Sequence, residues 1–394
     1  MKVNKVGVIG AGTMGSGIAQ VAALAGCAVV LLDREESFVL KAVDGVRARF
    51  DRLSQKGRIS VDESAAAAQR LSVATSHEDL ADCDFVIEAV FEDLDVKHAA
   101  LSRVEQVVAD RAVFATNTSS LSVAEIAAGL KRPERLAGMH FFNPTPLMPL
   151  VEVVAAEHSA PEVVDAVFEA AIAWGKVAVR ARDVPGFIVN RVARPYYLEA
   201  LRLLGDSVAD VPQIDAAMQA LGFRMGPFEL MDLVGIDVNY AVSCSVPDRL
   251  GKPPRLEPHD IQRVMVAANA LGKKSGCGFY DYSFEKPRPV ETSFADRASA
   301  RLDLPTLARS ADAGTACGQI QRQILFAVLN EAGYALDERV ATADDIDLAM
   351  RKGTNYPQGP IAWAGALGKT IVREGLIELN ARFAGRFDAA RYWC

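Results

Sequence analysis

Short apolar runs alternate with helical stretches along the first half of the chain. The run at 6–9 ends in glycines, an alanine-rich helical stretch follows to about Leu24, and a second run covers 28–32. Further runs of strand length occupy residues 71–74, 85–89, 113–116, 136–141 and 150–154, with helical segments such as 94–108 between them. Because strands that alternate with helices pair through crossovers, the pattern predicts a mostly parallel sheet covered on both faces.

The pattern changes at Pro185-Gly186, after which helical periodicity extends to about Leu271 without convincing strands. Prolines and charged residues without a clear apolar period then cluster between about 283 and 316. Breaks between different periodicities mark domain boundaries. We therefore predict a sheet domain at 1–184, a helical domain at 185–285, a linker at 286–316 and a second, degenerate helical domain at 317–394.

The last segment repeats the sequence pattern of the first helical one. Residues 190–191, 199–200, 214–218 and 226–227 can be laid on 322–323, 331–332, 346–350 and 359–360, and the offset is 132 residues until the final Gly-Pro pair, where it is 133. We interpret this agreement as an internal duplication of an all-α domain. Because Arg322 stands where the first copy has Asn190, we expect the second copy to be structural.

Composition and charge narrow the class of protein. The 394 residues are half apolar and carry a net charge of −7, which gives no general attraction to nucleic acid. The six cysteines form no CxxC pair, so we expect neither a metal site nor a disulfide framework. The apolar start breaks at once into glycines, and the longest apolar stretch is too short to span a bilayer. We expect no membrane association and a cytoplasmic location.

Gly10-Ala11-Gly12-Thr13-Met14-Gly15 fits G-x-G-x-x-G directly after the first predicted strand and at the start of a helix. Such a loop lets the backbone approach a pyrophosphate at a helix N-terminus, although a purely structural glycine turn has the same pattern. Asp33 ends the second predicted strand, where a carboxylate accepts hydrogen bonds from a ribose diol and repels a 2′-phosphate. We therefore predict a Rossmann-type domain that binds NAD rather than NADP, with the basic Arg34 as the feature that could favour a phosphate.

His140 lies at the end of a predicted strand, before a turn sequence, and Glu152 lies in the next predicted strand. A carboxylate that holds one imidazole nitrogen leaves the other free to take a proton from an alcohol. From spacing alone, the histidine could equally be a structural residue. Ser119 and Ser120 follow another strand, where Ser119 is the candidate ligand and Ser120 the candidate helix cap.

With these residues assembled, the chain resembles the 3-hydroxyacyl-CoA dehydrogenase family. The resemblance covers nearly the whole length and includes the motifs at 10–15, 86–92, 117–120, 140–144, 187–191, 226–232 and 274–280. The stretches at 185–195 and 355–360 look most like the bacterial branch of phenylacetate degradation, which acts on 3-hydroxyadipyl-CoA. The resemblance implies NAD-dependent oxidation of an (S)-3-hydroxyacyl-CoA to the 3-oxoacyl-CoA, with 3-hydroxyadipyl-CoA or 3-hydroxybutyryl-CoA as the substrate.

The resemblance also implies roles for individual residues. His140 would be the base and Glu152 its orienting carboxylate, while Ser119 and Asn190 would bind the reacting oxygen and the acyl group. The implied cofactor residues are Gly10, Gly12, Thr13, Met14, Gly15, Asp33, Glu92, Lys97 and Asn117. Lys56 and Arg58 would bind the coenzyme A phosphates, and Arg194 or Arg224 would bind a distal carboxylate.

Three alternatives stay open from the sequence: a dehydrogenase of a free hydroxy acid or sugar acid, a non-catalytic nucleotide-binding protein, and a C-terminal copy that serves as an interaction module. In relatives with one helical domain, that domain builds a dimer interface. The chain could therefore be a homodimer or a monomer whose duplicated domain replaces the partner.

Overall fold

The computed structural model describes residues 3–290, 313–383 and 385–394. The chain divides into two units, Met1–Phe187 and Ile188–Cys394. This boundary lies slightly beyond the predicted one at 184/185. The last strand of the first unit ends at Arg182, and two residues with positive φ, Gly186 and Phe187, then turn the chain.

The first unit is built on one eight-stranded sheet. Its strands are β1 (Lys5–Ile9), β2 (Ala28–Leu32), β3 (Leu71–Val73), β4 (Phe85–Glu88), β5 (Val113–Thr116), β6 (Leu136–Phe141), β7 (Leu150–Ala155) and β8 (Val177–Arg182). The strand order is β3-β2-β1-β4-β5-β6-β7-β8. All neighbouring strands are parallel except β6 and β7, which are antiparallel.

Six α-helices accompany these strands in the described part of the first unit. They are α1 (Thr13–Leu24), α2 (Glu36–Gln55), α3 (Val61–Gln69), α4 (Leu94–Glu105), α5 (Val123–Ala127) and α6 (Pro161–Ala173). Helix α2 shows why they pack on the sheet: Val39, Val43, Val46 and Phe50 recur at helical spacing and are its buried residues. The predicted alternation of strands and helices is confirmed, while β8 was not predicted.

The second unit is mainly helical. Its helices are α7 (Val189–Val192), α8 (Arg194–Gly205), α9 (Val211–Ala220), α10 (Pro227–Val234), α11 (Ile236–Arg249), α12 (Asp260–Ala267), α13 (Ala313–Asp337), α14 (Ala343–Gly353), α15 (Pro360–Leu367) and α16 (Lys369–Arg382). A short antiparallel pair, β9 (Tyr280–Asp281) and β10 (Arg288–Pro289), follows the first set of helices. The predicted α/β Rossmann-type domain followed by all-α segments is confirmed. The predicted linker at 286–316 lies largely outside the described residues.

The two helical segments share a distinctive capping contact. Asp215 accepts hydrogen bonds from the first N–H groups of α10, and Asp347 does the same for α15. In both places the residue before the helix is a glycine, Gly226 or Gly359, because a Cβ there would lie 2.3 Å from the aspartate. An internal duplication predicts this repetition.

Within the described residues, no helix is both long enough and apolar enough to cross a membrane. The cytoplasmic location stays a prediction.

Candidate active site

The glycine loop follows β1 and leads directly into α1. Gly10 has φ +102, and a Cβ there would lie 2.5 Å from the Ala89 carbonyl oxygen. A Cβ on Gly15 would lie 1.8 Å from the Gly10 carbonyl oxygen, so only glycine allows the helix to pack this closely. Gly12 differs, because nothing lies within 4 Å of the position of its Cβ. The open space at Gly12 is therefore where a ligand can approach the backbone.

The first turn of α1 can hold an anion. Its N-cap residue, Gly12, provides no side-chain hydrogen bond, and the turn contains no acidic residue. The N–H groups there carry the positive end of the helix dipole. Because the sheet order reverses at β1, this turn also lies at the position where open α/β sheets bind dinucleotides. These features fit the pyrophosphate of NAD.

Asp33 follows β2 and braces the same loop. Its carboxylate accepts hydrogen bonds from the backbone N–H of Ala11 at 2.6 Å and of Arg34 at 2.7 Å. A carboxylate has further lone pairs, so these two bonds leave room to accept from a ribose hydroxyl. The loop borders a cleft of about 1180 Å³, whose lining includes Gly10, Gly12, Thr13, Met14, Asp33 and Phe38.

His140 and Glu152 are directly opposite each other in the antiparallel pair β6–β7. His140 Nδ1 lies 2.7 Å from Glu152 Oε2, and both residues are buried. An ionised carboxylate only accepts hydrogen bonds, so Nδ1 donates to it and Nε2 presents a lone pair. The predicted neighbours thus form a histidine–carboxylate pair of the kind that serves general base catalysis.

Two aromatic rings restrict the imidazole on other sides. The ring centroids of Phe142 and Phe187 lie 4.5 Å and 5.7 Å from that of His140. Asn117 supports the end of the same strand, because its Oδ1 accepts the backbone N–H of Phe141 at 2.9 Å. Sequence reasoning missed both rings, although the doubled phenylalanine after His140 was visible.

Glu92 and Lys97, which the resemblance assigns to the cofactor side, belong to a buried ionic network. Lys97 Nζ lies 2.7 Å from Glu88 Oε1 and 3.1 Å from Glu92 Oε2. Glu88 also accepts from the Thr116 hydroxyl at 2.6 Å. Glu88 was missed, although a carboxylate within the apolar run at 85–89 was a usable signal.

Glu92 in turn holds the loop after β5. One of its oxygens accepts from the hydroxyl of Thr118 and from the backbone N–H groups of Ser119 and Ser120, at 2.6–3.0 Å. Burial raises the pKa of the Glu92 carboxyl, but the Lys97 charge and these hydrogen bonds outweigh it and lower the pKa to about 2. The network therefore fixes the loop that carries the candidate ligand Ser119.

The serines of this loop have separate roles. The Ser119 hydroxyl makes no hydrogen bond within the described part of the chain, whereas the Ser120 hydroxyl donates to Glu92 at 3.0 Å. The N-cap of α5 is Ser122, which accepts from the Glu125 N–H. The prediction that Ser120 caps this helix is therefore wrong, because Ser120 is drawn to Glu92 instead.

The remaining predicted residues lie elsewhere. Lys56 and Arg58 are exposed on the turn after α2, and neither forms an ion pair within the described residues. Asn190 is half-buried in α7 of the second unit. No cluster of three or more histidine, cysteine or acidic side chains that could hold a metal ion occurs among the residues that the structure describes.

Comparison with known families identifies the two units. The model of the 3-hydroxyacyl-CoA dehydrogenase NAD-binding domain matches residues 5–184, and the model of the C-terminal domain matches residues 186–282 and 318–393. The chain belongs to the 3-hydroxyacyl-CoA dehydrogenase family. It is an NAD-dependent oxidoreductase that acts on 3-hydroxyacyl-CoA thioesters.

Individual members of the family are similar over most of the chain. The 3-hydroxyadipyl-CoA dehydrogenase of Escherichia coli K12 is 39% identical, and the match covers 93% of this chain and 92% of the relative. The 3-hydroxybutyryl-CoA dehydrogenase of Clostridioides difficile is 39% identical and covers 71% of the chain. A crystal structure of a 3-hydroxybutyryl-CoA dehydrogenase from Escherichia coli K12 covers 100% of the chain with a TM-score of 0.89 and 37% identity.

Proposed function

We propose that His140 is the general base of this dehydrogenase and that Glu152 orients it. The observation that carries the proposal is the contact of 2.7 Å between His140 Nδ1 and Glu152 Oε2. Because Glu152 holds the proton on Nδ1, Nε2 is available to take the proton of the substrate's 3-hydroxyl. Glu152 also stabilises the imidazolium that forms when His140 accepts this proton.

When bound, NAD accepts the hydride from C3 of the substrate. The glycine loop and the first turn of α1 bind its pyrophosphate, Asp33 accepts from its ribose hydroxyls, and Thr13 and Met14 line the cleft around it. Glu92, Lys97 and Asn117 act in this proposal by holding the strand ends that face the cofactor, through the contacts described above.

Ser119 is proposed to hydrogen-bond the reacting oxygen of the substrate. Its hydroxyl makes no hydrogen bond within the described residues, and its backbone is anchored to Glu92, so the donor is both available and restrained. Asn190 is proposed to bind the acyl group. Lys56 and Arg58 are proposed to bind coenzyme A phosphates, since both are exposed cations without a carboxylate partner in the described chain.

The acyl chain follows from the relatives only as far as two alternatives. One similar protein is named for 3-hydroxyadipyl-CoA and another for 3-hydroxybutyryl-CoA. These chains differ in length and in the presence of a terminal carboxylate.

Replacing His140 with alanine tests the mechanism. We expect turnover of a 3-hydroxyacyl-CoA to fall by roughly two to four orders of magnitude, the usual contribution of a positioned general base. NADH binding, measured by fluorescence titration, should stay nearly unchanged. His158→Ala, a substitution of a surface histidine near β7, is the control and should keep wild-type turnover. Equal turnover in His140→Ala and wild type would remove His140 from the mechanism.

We also propose that the chain is a monomer in which the duplicated domain replaces a partner subunit. Arg191 Nε donates to Glu331 at 2.7 Å, and Gln323 Nε2 donates to Glu199 at 2.9 Å. Position 323 corresponds to 191, and 331 corresponds to 199, under the offset of 132 residues. Such reciprocal contacts are what a two-fold symmetric dimer makes between identical subunits.

Rings at equivalent positions also meet. Phe223 and Tyr356 are related by the offset of 133 residues, and their ring centroids lie 4.9 Å apart. The surface that would bind a second copy is thus covered within the chain. Sedimentation equilibrium should give the mass of one chain at every concentration, whereas a concentration-independent mass of two chains would refute the proposal.

A further inference from the structure

Arg194, at the start of α8, is a buried cation surrounded by neutral groups. Its Nε donates to the Asn190 carbonyl oxygen at 2.9 Å, and its Nη1 lies 3.1 Å from both the Asn239 carbonyl oxygen and the Ser243 hydroxyl. The Tyr197 ring completes the environment, 4.9 Å from the guanidinium carbon. Arg194 is only 4% exposed, and no carboxylate forms an ion pair with it within the described residues.

The contrast with Arg191, three residues earlier, shows that the absence of a counter-ion is unusual here. Arg191 is also buried, but its guanidinium binds the carboxylates of Glu331 and Glu338. A buried charge without an opposite charge is costly, and burial lowers the pKa of Arg194 for this reason. A negatively charged ligand would supply the missing partner.

The same cluster has unused hydrogen-bonding capacity. Arg194 Nη2 carries two N–H donors that make no hydrogen bond within the described chain. The Tyr356 hydroxyl is buried without a partner and belongs to the charged surroundings of Arg194. Buried polar groups in native proteins are normally satisfied, so two unsatisfied donors in one cluster indicate a missing acceptor.

The position of Arg194 relates this acceptor to the substrate. Asn190, the residue proposed to bind the acyl group, lies one helical turn before Arg194, roughly 6 Å along the helical axis. Arg194 is also bonded directly to the Asn190 backbone. Arg224, the other arginine predicted for this role, is exposed and lies outside the cluster.

We propose that Arg194 and Tyr356 bind a carboxylate at the far end of the acyl chain, so that the preferred substrate is the coenzyme A thioester of a 3-hydroxy dicarboxylic acid. The inference rests on the proposed function and names its substrate class. Arginine suits this task because its planar fork binds both oxygens of a carboxylate. Tyr356 comes from the second helical copy, which would then contribute to specificity as well as to structure.

Two substrates of equal carbon number separate the effect of the charge from that of chain length. We would measure kcat/KM with NAD for 3-hydroxyadipyl-CoA and for 3-hydroxyhexanoyl-CoA, which lacks only the distal carboxylate. Wild type should prefer the adipyl substrate by roughly tenfold or more, the range expected for hydrogen bonds to a charged group. Arg194→Gln should reduce this preference by roughly ten- to a hundredfold and change kcat/KM for the hexanoyl substrate by less than about threefold.

Tyr356→Phe is the gentler variant, because it removes only an unpaired hydroxyl and keeps the ring that packs on Phe223. It should reduce the preference several-fold without affecting the hexanoyl substrate. Arg224→Gln is the matched control and should keep the wild-type preference. Circular dichroism would establish that each variant is folded, and Tyr356→Phe decides the matter if Arg194→Gln is not.

The outcomes distinguish this inference from the proposed function. An equal kcat/KM for the two substrates in wild type would overturn the carboxylate site while leaving the dehydrogenase mechanism intact. An unchanged preference in the folded variants, or an equal loss on both substrates, would assign the cluster to structure alone. Wild type that oxidises neither substrate would instead contradict the proposed function.

Discussion

The backbone N–H of Ser119 donates to the carboxylate of Glu92 at 2.9 Å. This contact joins the loops after two neighbouring parallel strands, β4 and β5, at the edge where the candidate site lies. Because Lys97 balances the charge of Glu92 from below, the carboxylate can stay ionised in spite of its burial. The buried network thus converts the position of a strand end into the position of a proposed substrate ligand.

The pKa of Glu92 predicts how its contribution to stability depends on pH. Its folded pKa of about 2 lies below the unfolded value of about 4.3, so the ionised form stabilises the folded state at higher pH. This stabilisation is lost as the pH falls from about 4.3 towards 2. Urea unfolding should therefore show Glu92→Gln to be less stable than wild type near neutral pH, with a smaller difference at about pH 3. A difference that is constant with pH would contradict this account.

Glu152→Gln tests whether the carboxylate controls the tautomer of His140. A glutamine amide can rotate and donate a hydrogen bond to Nδ1, which would place the imidazole proton on Nε2, the nitrogen that must accept. We expect kcat to fall by roughly two to four orders of magnitude, with little change in NADH affinity. Glu157→Gln alters an exposed carboxylate just beyond β7 and serves as the control. A wild-type kcat in Glu152→Gln would mean that packing alone orients His140.

Much of the sheet could be predicted from the sequence, because its central strands are buried on both faces and appear as continuous apolar runs. Strand β8 was missed because it lies at the edge of the sheet and alternates exposed arginines, Arg180 and Arg182, with buried residues. Six residues of this kind do not stand out from the helical segments around them.

Contacts between distant residues account for what the sequence could not reveal about the site. His140 and Glu152 could be paired as candidates, but their direct opposition depends on the register and antiparallel direction of β6 and β7. The choice of Ser122 over Ser120 as the helix cap depends on Glu92, which lies 28 residues from Ser120 in the chain. Local patterns identify the residue types, while tertiary packing decides which atoms meet.

The preference for NAD over NADP should depend on Asp33. Its charge would lie beside the 2′-phosphate of NADP, and opposing like charges disfavour binding. Asp33→Asn should reduce the ratio of kcat/KM for NAD to that for NADP by roughly one to two orders of magnitude. Asp62→Asn, which changes an exposed carboxylate in the first turn of α3, should keep the wild-type ratio. An unchanged ratio in Asp33→Asn would shift attention to Arg34 as the residue that sets cofactor choice.

The glycine loop permits a sharper test, because two of its glycines differ in what surrounds them. A Cβ at Gly12 meets nothing within 4 Å, and its φ of −69 is ordinary for alanine, so Gly12→Ala should fold with nearly wild-type stability. The added methyl group would nevertheless occupy the space that the pyrophosphate needs, and KM for NAD should rise by roughly tenfold or more. Gly15→Ala should behave in the opposite way, since its Cβ would lie 1.8 Å from a backbone oxygen and must disrupt the contact between β1 and α1. Thermal unfolding and NAD titration of both variants would separate the two effects, and a Gly12→Ala enzyme with unchanged KM would show that the cofactor does not approach the backbone at this turn.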